Sequence, residues 1–251
     1  MNIFQHNFAW ENDESHQVFW EFRKRSSEEI HAEVDKILQL YPLSASAHIL
    51  DVGCGIGLHV AEFGRRGYRT TGIDISDLAI ERAREACDGI SACTISKMRG
   101  IEIPWVDEFD LVFAIEHTLG FVDIKELHMQ LKKMWAAVVA KGTFLLGIAG
   151  GTLEAWRPRY PVHKWELQNG KYILTDKSLT EDGIKKERTI IINPNSDRID
   201  EYLEEQKYYT LKEIQNLLAK VGIKNIKVIK DLDGAPIVEA KEARYFIAKK
   251  R

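Results

Sequence analysis

Residues 48–76 read HILDVGCGIGLHVAEFGRRGYRTTGIDIS, and this stretch decides the fold. His48–Val52 is a short apolar run of strand type that ends in Gly53-Cys54-Gly55-Ile56-Gly57. Glycines at this density let the backbone turn tightly and leave room for a ligand at the carboxyl end of the strand. Leu58, Val60, Ala61 and Phe63 then recur at helical spacing as far as Gly67. Tyr68–Asp74 predicts a second strand, and Ser76 opens a second helix running to about Ala86. Strand–helix alternation at this spacing argues for a parallel sheet with helices on both faces.

The same alternation extends outward. Ile90–Ile95 predicts a weak third strand and Phe109–Ile115 a stronger fourth. Asp123 and Glu126 predict a capping box for a helix whose apolar face is Leu127, Leu131, Met134, Trp135, Val138 and Val139. Lys141-Gly142 should close that helix, and Thr143–Ile148 should be the fifth strand. Upstream, Ser26 and Glu29 form a second capping box for a helix carrying Ile30, Val34, Ile37, Leu38 and Tyr41, stopped by Pro42. Between Gly151 and Tyr209 the pattern breaks into antiparallel strands with turns at Glu181-Asp182-Gly183 and Asn193–Ser196. Thr210 and Glu213 cap a last helix with Ile214, Leu217, Leu218 and Val221 inside and Gly222 as its stop. Strands within Ile223–Asp231 and Ala243–Lys249 complete the chain.

Composition sets the outer limits. With 251 residues and 45% apolar content the chain can bury a substantial core. Lys and Arg number 35 against 38 Asp and Glu, a net charge of −3, so no global basic field is available for nucleic acid or anionic lipid. The segment 151–209 is also balanced, with 10 basic and 11 acidic residues. There is no 18-residue apolar run, and the opening residues lack the pattern of a secretory signal. Cys54, Cys87 and Cys93 form neither a CxxC pair nor an even-numbered framework. The expectation is a soluble, cytoplasmic protein without membrane contact.

The glycine spacing narrows the ligand. A dinucleotide fingerprint would read G-x-G-x-x-G, but position 58 is Leu and the third glycine stands one place early. That spacing disfavours a nicotinamide enzyme. Asp74, 17 residues after Gly57 at the end of the second strand, can accept from both ribose hydroxyls of an adenosine.

The stretch resembles the first two motifs of class I S-adenosylmethionine-dependent methyltransferases. The resemblance continues through Phe109–Asp123, Ala140–Ile148 and Tyr208–Pro236, and it is nearest to small-molecule enzymes with a β-rich insertion before the penultimate helix. It implies an α/β, Rossmann-like, seven-stranded and mostly parallel sheet with helices on both faces, plus an antiparallel β insertion. The expected parts are an N-terminal helical lid (1–42), a cofactor-binding core (43–150 and 210–251) and an insertion (151–209) serving as substrate lid or dimer contact.

The resemblance also implies roles. Asp51, Gly53, Cys54, Gly55 and Gly57 would pass under the methionine and ribose portions of S-adenosylmethionine, Asp74 would hold the ribose, and Ile75 would lie on the adenine. The adenine edge would fall at Lys97 and Met98, but an ammonium cannot accept a hydrogen bond, so only Met98 is retained. Trp20 and Arg23 would reach the cofactor from the N-terminal region, Arg23 toward its carboxylate, and Ile115 would line the site.

Methyl transfer from a sulfonium is an in-line displacement, so positioning and exclusion of water are the main tasks, and no metal is required. Glu116 and His117, directly after the fourth strand, are the candidates for a general base and for acceptor contact. His59 is read as structural. Arg157, Trp165 and Tyr209 are candidate substrate residues, with Trp156, Arg159 and His163 beside them at the opening of the insertion. The expected acceptor is a small molecule methylated on N or O, and a homodimer is compatible with the insertion. The competing readings are an RNA or protein methyltransferase, which charge and the Ile115-Glu116-His117-Thr118 loop disfavour, and a non-catalytic cofactor-binding subunit.

Overall fold

A computed structural model describes residues 2–7, 25–115 and 121–251. Two sheets organise them. The core sheet has strands β2 (His48–Val52), β3 (Arg69–Asp74), β4 (Cys93–Lys97), β5 (Phe109–Ala114), β6 (Val138–Gly147), β11 (Lys227–Ile229) and β12 (Tyr245–Lys249). Their order is β11-β12-β6-β5-β2-β3-β4. β12 runs antiparallel to β6 and to β11, and the other pairings are parallel. The chain builds β2, β3 and β4 to one side and then returns to place β5 against the free edge of β2. The strand order therefore reverses between β2 and β5, and open α/β sheets bind ligands at the carboxyl ends beside such a reversal.

Period-two alternation places the core on both faces of this sheet. Leu50, Val52, Val112, Ala114, Phe144 and Leu146 pack with helix α4 (Ile124–Ala137) and helix α6 (Leu211–Lys220). Ile49, Leu111, Phe113 and Leu145 face the other way, toward Val34 and Ile37 of helix α1 (Ser27–Leu40) and Phe63 of helix α2 (Leu58–Arg65). Phe63 and Phe113 are fully buried with ring centroids 5.8 Å apart. Helix α3 (Asp77–Ala86) starts on Ser76, whose hydroxyl accepts from the Ala79 amide at 3.1 Å.

The capping boxes at Ser26 and Thr210 form as the sequence predicts. The one at Asp123 does not close: Asp123 accepts from the Lys125 and Glu126 amides, but Glu126 turns to Arg99 at 2.6 Å. Helix α4 also ends at Ala137, four residues before the expected stop. Val138 and Val139 belong to β6, because Val138 is buried beside Phe109 and a bulge there, with Lys141 at φ 66°, reconnects the ladder at Thr143.

The insertion is a second sheet, ordered β1-β10-β9-β8-β7. It comprises β7 (Val162–Gln168), β8 (Lys171–Leu179), β9 (Ile184–Ile192) and β10 (Arg198–Lys207), antiparallel in sequence, and a short helix α5 (Leu153–Trp156) precedes it. β1 (Asn2–Asn7) lies parallel to β10. The N-terminal region expected to be helical thus begins with a strand of the insertion sheet, where Ile3 opposite Ile199 extends the β-type alternation of β10.

Candidate cofactor and acceptor site

The turn after β2 is shaped by its glycines. Gly53, Gly55 and Gly57 all have φ between 53° and 76°, a region that side chains with a Cβ rarely enter. The amides of Gly53 and Cys54 both donate to the Ile73 carbonyl, at 2.8 and 3.0 Å, which ties the turn to the end of β3. Gly57 is the N-cap of α2, and a Cβ there would stand 2.8 Å from the Cβ of Ala83. The third glycine therefore lets α2 pack closely on α3. Gly72 within β3 acts similarly and was not singled out from the sequence: a Cβ would stand 2.7 Å from Val60 and 3.0 Å from the Cys54 sulfur.

Asp74 sits half-buried at the end of β3. Its Oδ2 accepts from the Gly55 amide at 2.9 Å and its Oδ1 from the Ser76 amide at 3.0 Å. Each oxygen has further lone-pair capacity for a diol. Ile75 follows, half-buried. The Met98 amide donates to the Asp74 carbonyl at 2.9 Å, so its backbone N–H is engaged within the sheet and Met98 offers its partly buried side chain. Lys97 is exposed and pairs with Asp77 at 2.6 Å.

Asp51 is 3% exposed, and burial pushes its carboxyl up to about 7, with His59 opposing and Asp74 adding to the rise. Cys54 is held as a thiol, because burial and the carboxylates of Asp51 and Asp74 raise it well above its ordinary range. His59 lies on α2 with Nε2 2.9 Å from Glu33 of α1. Burial would raise Glu33, but His59 and Arg25 outweigh it and hold that carboxyl at about 2. His59 thus joins two helices, as a structural reading predicts.

Glu116, His117, Trp20 and Arg23 lie outside the described residues. Ile115, the last residue before that interval, is half-buried at the carboxyl end of β5, at the switch point. Tyr209 is buried where β10 returns to α6, and it lines an open cleft of about 470 Å³ together with Val122, Ile124, Ile184 and Lys207. The cleft lies between the insertion sheet and the first turns of α4 and α6. Burial, with Glu213 and Asp123 nearby, raises the Tyr209 phenol above its usual value.

The other insertion candidates do not converge there. Arg157 is exposed and donates to the Glu181 carbonyl at 2.9 Å, bracing the turn between β8 and β9. Trp165 is 71% exposed: strand parity puts it opposite Leu174, on the face away from buried Ile173 and Thr175. It is not among the residues that line the Tyr209 cleft. Trp156 stacks on Tyr208 at 5.2 Å and carries Arg159 over its ring at 4.7 Å, while exposed His163 lies 2.6 Å from Asp176.

The glycine turn is thus left-handed, stands at the switch point and is bonded to a strand-end carboxylate. Residues 49–142 match the family described as "Methyltransferase domain". Those residues are a methyltransferase domain. The chain is 28% identical to 27-O-demethylrifamycin SV methyltransferase of Amycolatopsis mediterranei over 148 residues, which are 56% of this chain and 54% of that protein. It spans about half the length of that curated relative. Among solved structures, an S-adenosylmethionine-dependent methyltransferase from Clostridium acetobutylicum superposes with a TM-score of 0.76 at 12% identity, over 95% of this chain and 98% of the other. The S-adenosylmethionine-bound amino pentose methyltransferase CalS10 from Micromonospora echinaspora superposes at 0.69 and 17% identity, over 94% and 96%. This methyltransferase domain has no cluster of three or more His, Cys, Asp or Glu suited to a metal among its described residues. None of its described helices is long and apolar enough to cross a membrane.

Proposed function

We propose that this chain transfers the methyl group of S-adenosylmethionine to a nitrogen or oxygen atom of a small molecule. The observation that carries the reading is the Asp74 carboxylate bonded to the Gly55 amide at the switch point. The bound cofactor would supply a methyl carbon already activated by its sulfonium. The chain's own task is alignment and the exclusion of water.

In this reading the backbone of Gly53–Gly57 holds the methionine and ribose portions, Asp74 takes the ribose hydroxyls, and Ile75 and Met98 flank the adenine. The buried carboxyl of Asp51 favours the cationic end of the cofactor. Trp20 and Arg23 complete the site from the N-terminal side, and Ile115 lines it. The acceptor occupies the cleft at Tyr209, below the turn that Arg157 braces. His117, with Glu116, removes a proton from an acceptor that must lose one. The small-molecule class is supported by what the rifamycin and amino pentose enzymes are named for, and by a chain without excess positive charge.

Incubation with methyl-labelled S-adenosylmethionine and a panel of amine and hydroxyl metabolites, beside total RNA and protein, tests the reading. Label in a metabolite supports it; label confined to RNA or protein contradicts it. Once an acceptor is known, His117→Ala should lower turnover about 10²–10⁴-fold, and unchanged turnover removes His117 as the base.

A further inference from the structure

The chain's three cysteines meet in one small cluster. Cys87 ends helix α3 and is 8% exposed, Cys93 opens β4 and is half-buried, and Cys54 enters from the glycine turn. Val60 and Ala61 of α2 pack around them with Ile90 and Ile95. Two successive turns join Cys87 to Cys93. The Ile90 amide donates to the Cys87 carbonyl at 3.0 Å, and the Cys93 amide donates to the Ile90 carbonyl at 3.1 Å. The segment folds back so that the Cys87 thiol donates to the Cys93 sulfur. The Cys93 thiol in turn donates to the Val60 carbonyl at 3.3 Å. Gly64 of α2 makes room for that sulfur, since a Cβ there would stand 2.2 Å from it.

We infer that Cys87 and Cys93 are a reversible disulfide site, oxidised by small-molecule disulfides of the glutathione type. The two thiols are unequal, as an attacking and a resolving thiol should be. The bond from Cys87 lowers the Cys93 thiol against the effect of burial, and Arg65 lowers it further. Giving that bond, together with burial, pushes the Cys87 thiol up. Cys93 is also the more accessible of the two. Its thiolate therefore attacks one sulfur of the small disulfide, forming a mixed disulfide and releasing the first small thiolate. The Cys87 sulfur then attacks the Cys93 sulfur, and the second small thiolate leaves with the Cys87 proton. Two cysteine thiols are oxidised to one disulfide, and one small disulfide is reduced to two thiols.

Cys54 does not compete, because burial and the carboxylates of Asp51 and Asp74 keep it a thiol, and it leans toward the Gly55 carbonyl at 3.7 Å. Closing the bond to the ~2.05 Å of a disulfide requires the two sulfurs to approach. The connection can yield: Asp88, Gly89 and Ser91 are exposed, and a Cβ on Gly89 would meet nothing within 4 Å. Oxidation removes the hydrogen that Cys93 gives to Val60. It exchanges a tie between β4 and α2 for a covalent tie between β4 and α3. The inference does not depend on the reaction proposed above.

Arg84 and Lys97 bound one tryptic peptide, residues 85–97, which holds both cysteines and not Cys54. The test is to incubate the folded full chain with oxidised glutathione, block it with N-ethylmaleimide in denaturant, digest it and weigh the peptides. Peptide 85–97 should carry no maleimide and be lighter than its reduced form by about 2 Da, the two thiol hydrogens, while the Cys54 peptide carries one maleimide. Dithiothreitol before blocking should place two maleimides on 85–97. Cys87→Ser should retain glutathione on Cys93, and Cys93→Ser should take it on Cys87 at least about 10-fold more slowly. Two maleimides or a retained glutathione on the oxidised wild-type peptide, or a bridge that includes Cys54, overturns the inference. So does a Cys93→Ser chain that takes glutathione as fast as Cys87→Ser does. If a variant does not fold, the wild-type peptide decides alone.

Discussion

Asp74 Oδ2 accepts a hydrogen bond from the Gly55 amide at 2.9 Å, and through it the end of β3 fixes the glycine turn that follows β2. One carboxylate therefore does two things. It shapes the turn by bonding its backbone, and it remains half-exposed with further lone-pair capacity on each oxygen. The second bond, from Ser76, orients the same group from the start of α3. The site is rigid because the fold would have to break three backbone anchors, the two on Ile73 and the one on Asp74, to open it.

Gly57→Ala should destabilise the protein by about 2 kcal/mol, lowering Tm by about 6 °C. The residue has φ +74°, and the new Cβ would meet Ala83 at 2.8 Å. Calorimetric melting of wild type and variant checks this, and an unchanged Tm would mean that α2 and α3 are free to separate.

Much of this was legible in the sequence. The three positive-φ glycines, Asp74 at its strand end and the Ser26 and Thr210 caps all follow from local chemistry, which near neighbours specify. What was not legible depended on distant partners. Helix α4 ends early because Val138 is claimed by Phe109 across the sheet, and Glu126 leaves its cap for Arg99. The facing of Trp165 depends on register, and a one-residue shift of register reverses it. One signal was present and unused: Asn169-Gly170, with φ 51° and 75°, is the two-residue hairpin turn that fixes the β7–β8 register. Gly72 gave no local signal, since its role exists only against Val60 and Cys54.

Asp51 should make the ligand-free protein less stable as pH rises from about 4 to about 7. Burial raises its carboxyl from 3.8 to about 7 in the folded state, so across that window the native chain keeps a proton that the unfolded chain has released. Stability is therefore greatest below the unfolded value and declines with pH, by about 4 kcal/mol in full. Buried His48, pushed down to about 4 by burial and by Arg69, has the opposite slope from about pH 4 to 6.5. The informative quantity is thus the difference between wild type and Asp51→Asn. Urea unfolding at pH 5 and pH 8 should show the variant gaining on wild type at the higher pH. Parallel behaviour at both would assign Asp51 an ordinary value.

Glu187→Gln should weaken the insertion sheet by about 1–3 kcal/mol at neutral pH. Burial would raise Glu187, but Lys185 and Lys177 outweigh it and hold the carboxyl at about 2. Its stabilisation is complete above about 4.5, the unfolded value, and is lost as pH falls toward 2. Lys185, 3% exposed, keeps Glu204 in the variant, so the sheet should still form. Acid titration followed by circular dichroism should show the wild-type advantage shrinking below pH 4.5; a constant gap down to pH 2 would contradict the assignment.

The account rests most directly on the glycine turn and Asp74 holding S-adenosylmethionine. Calorimetric titration with S-adenosylmethionine, S-adenosylhomocysteine and NAD, on wild type and on Asp74→Ala, tests that point. The predicted result is micromolar binding of the first two, none of NAD, and a loss of about 100-fold or more in the variant, in line with removing charge-assisted hydrogen bonds to a diol. Wild-type protein that binds neither sulfur compound, or an Asp74→Ala variant that binds them as well as wild type does, would contradict it.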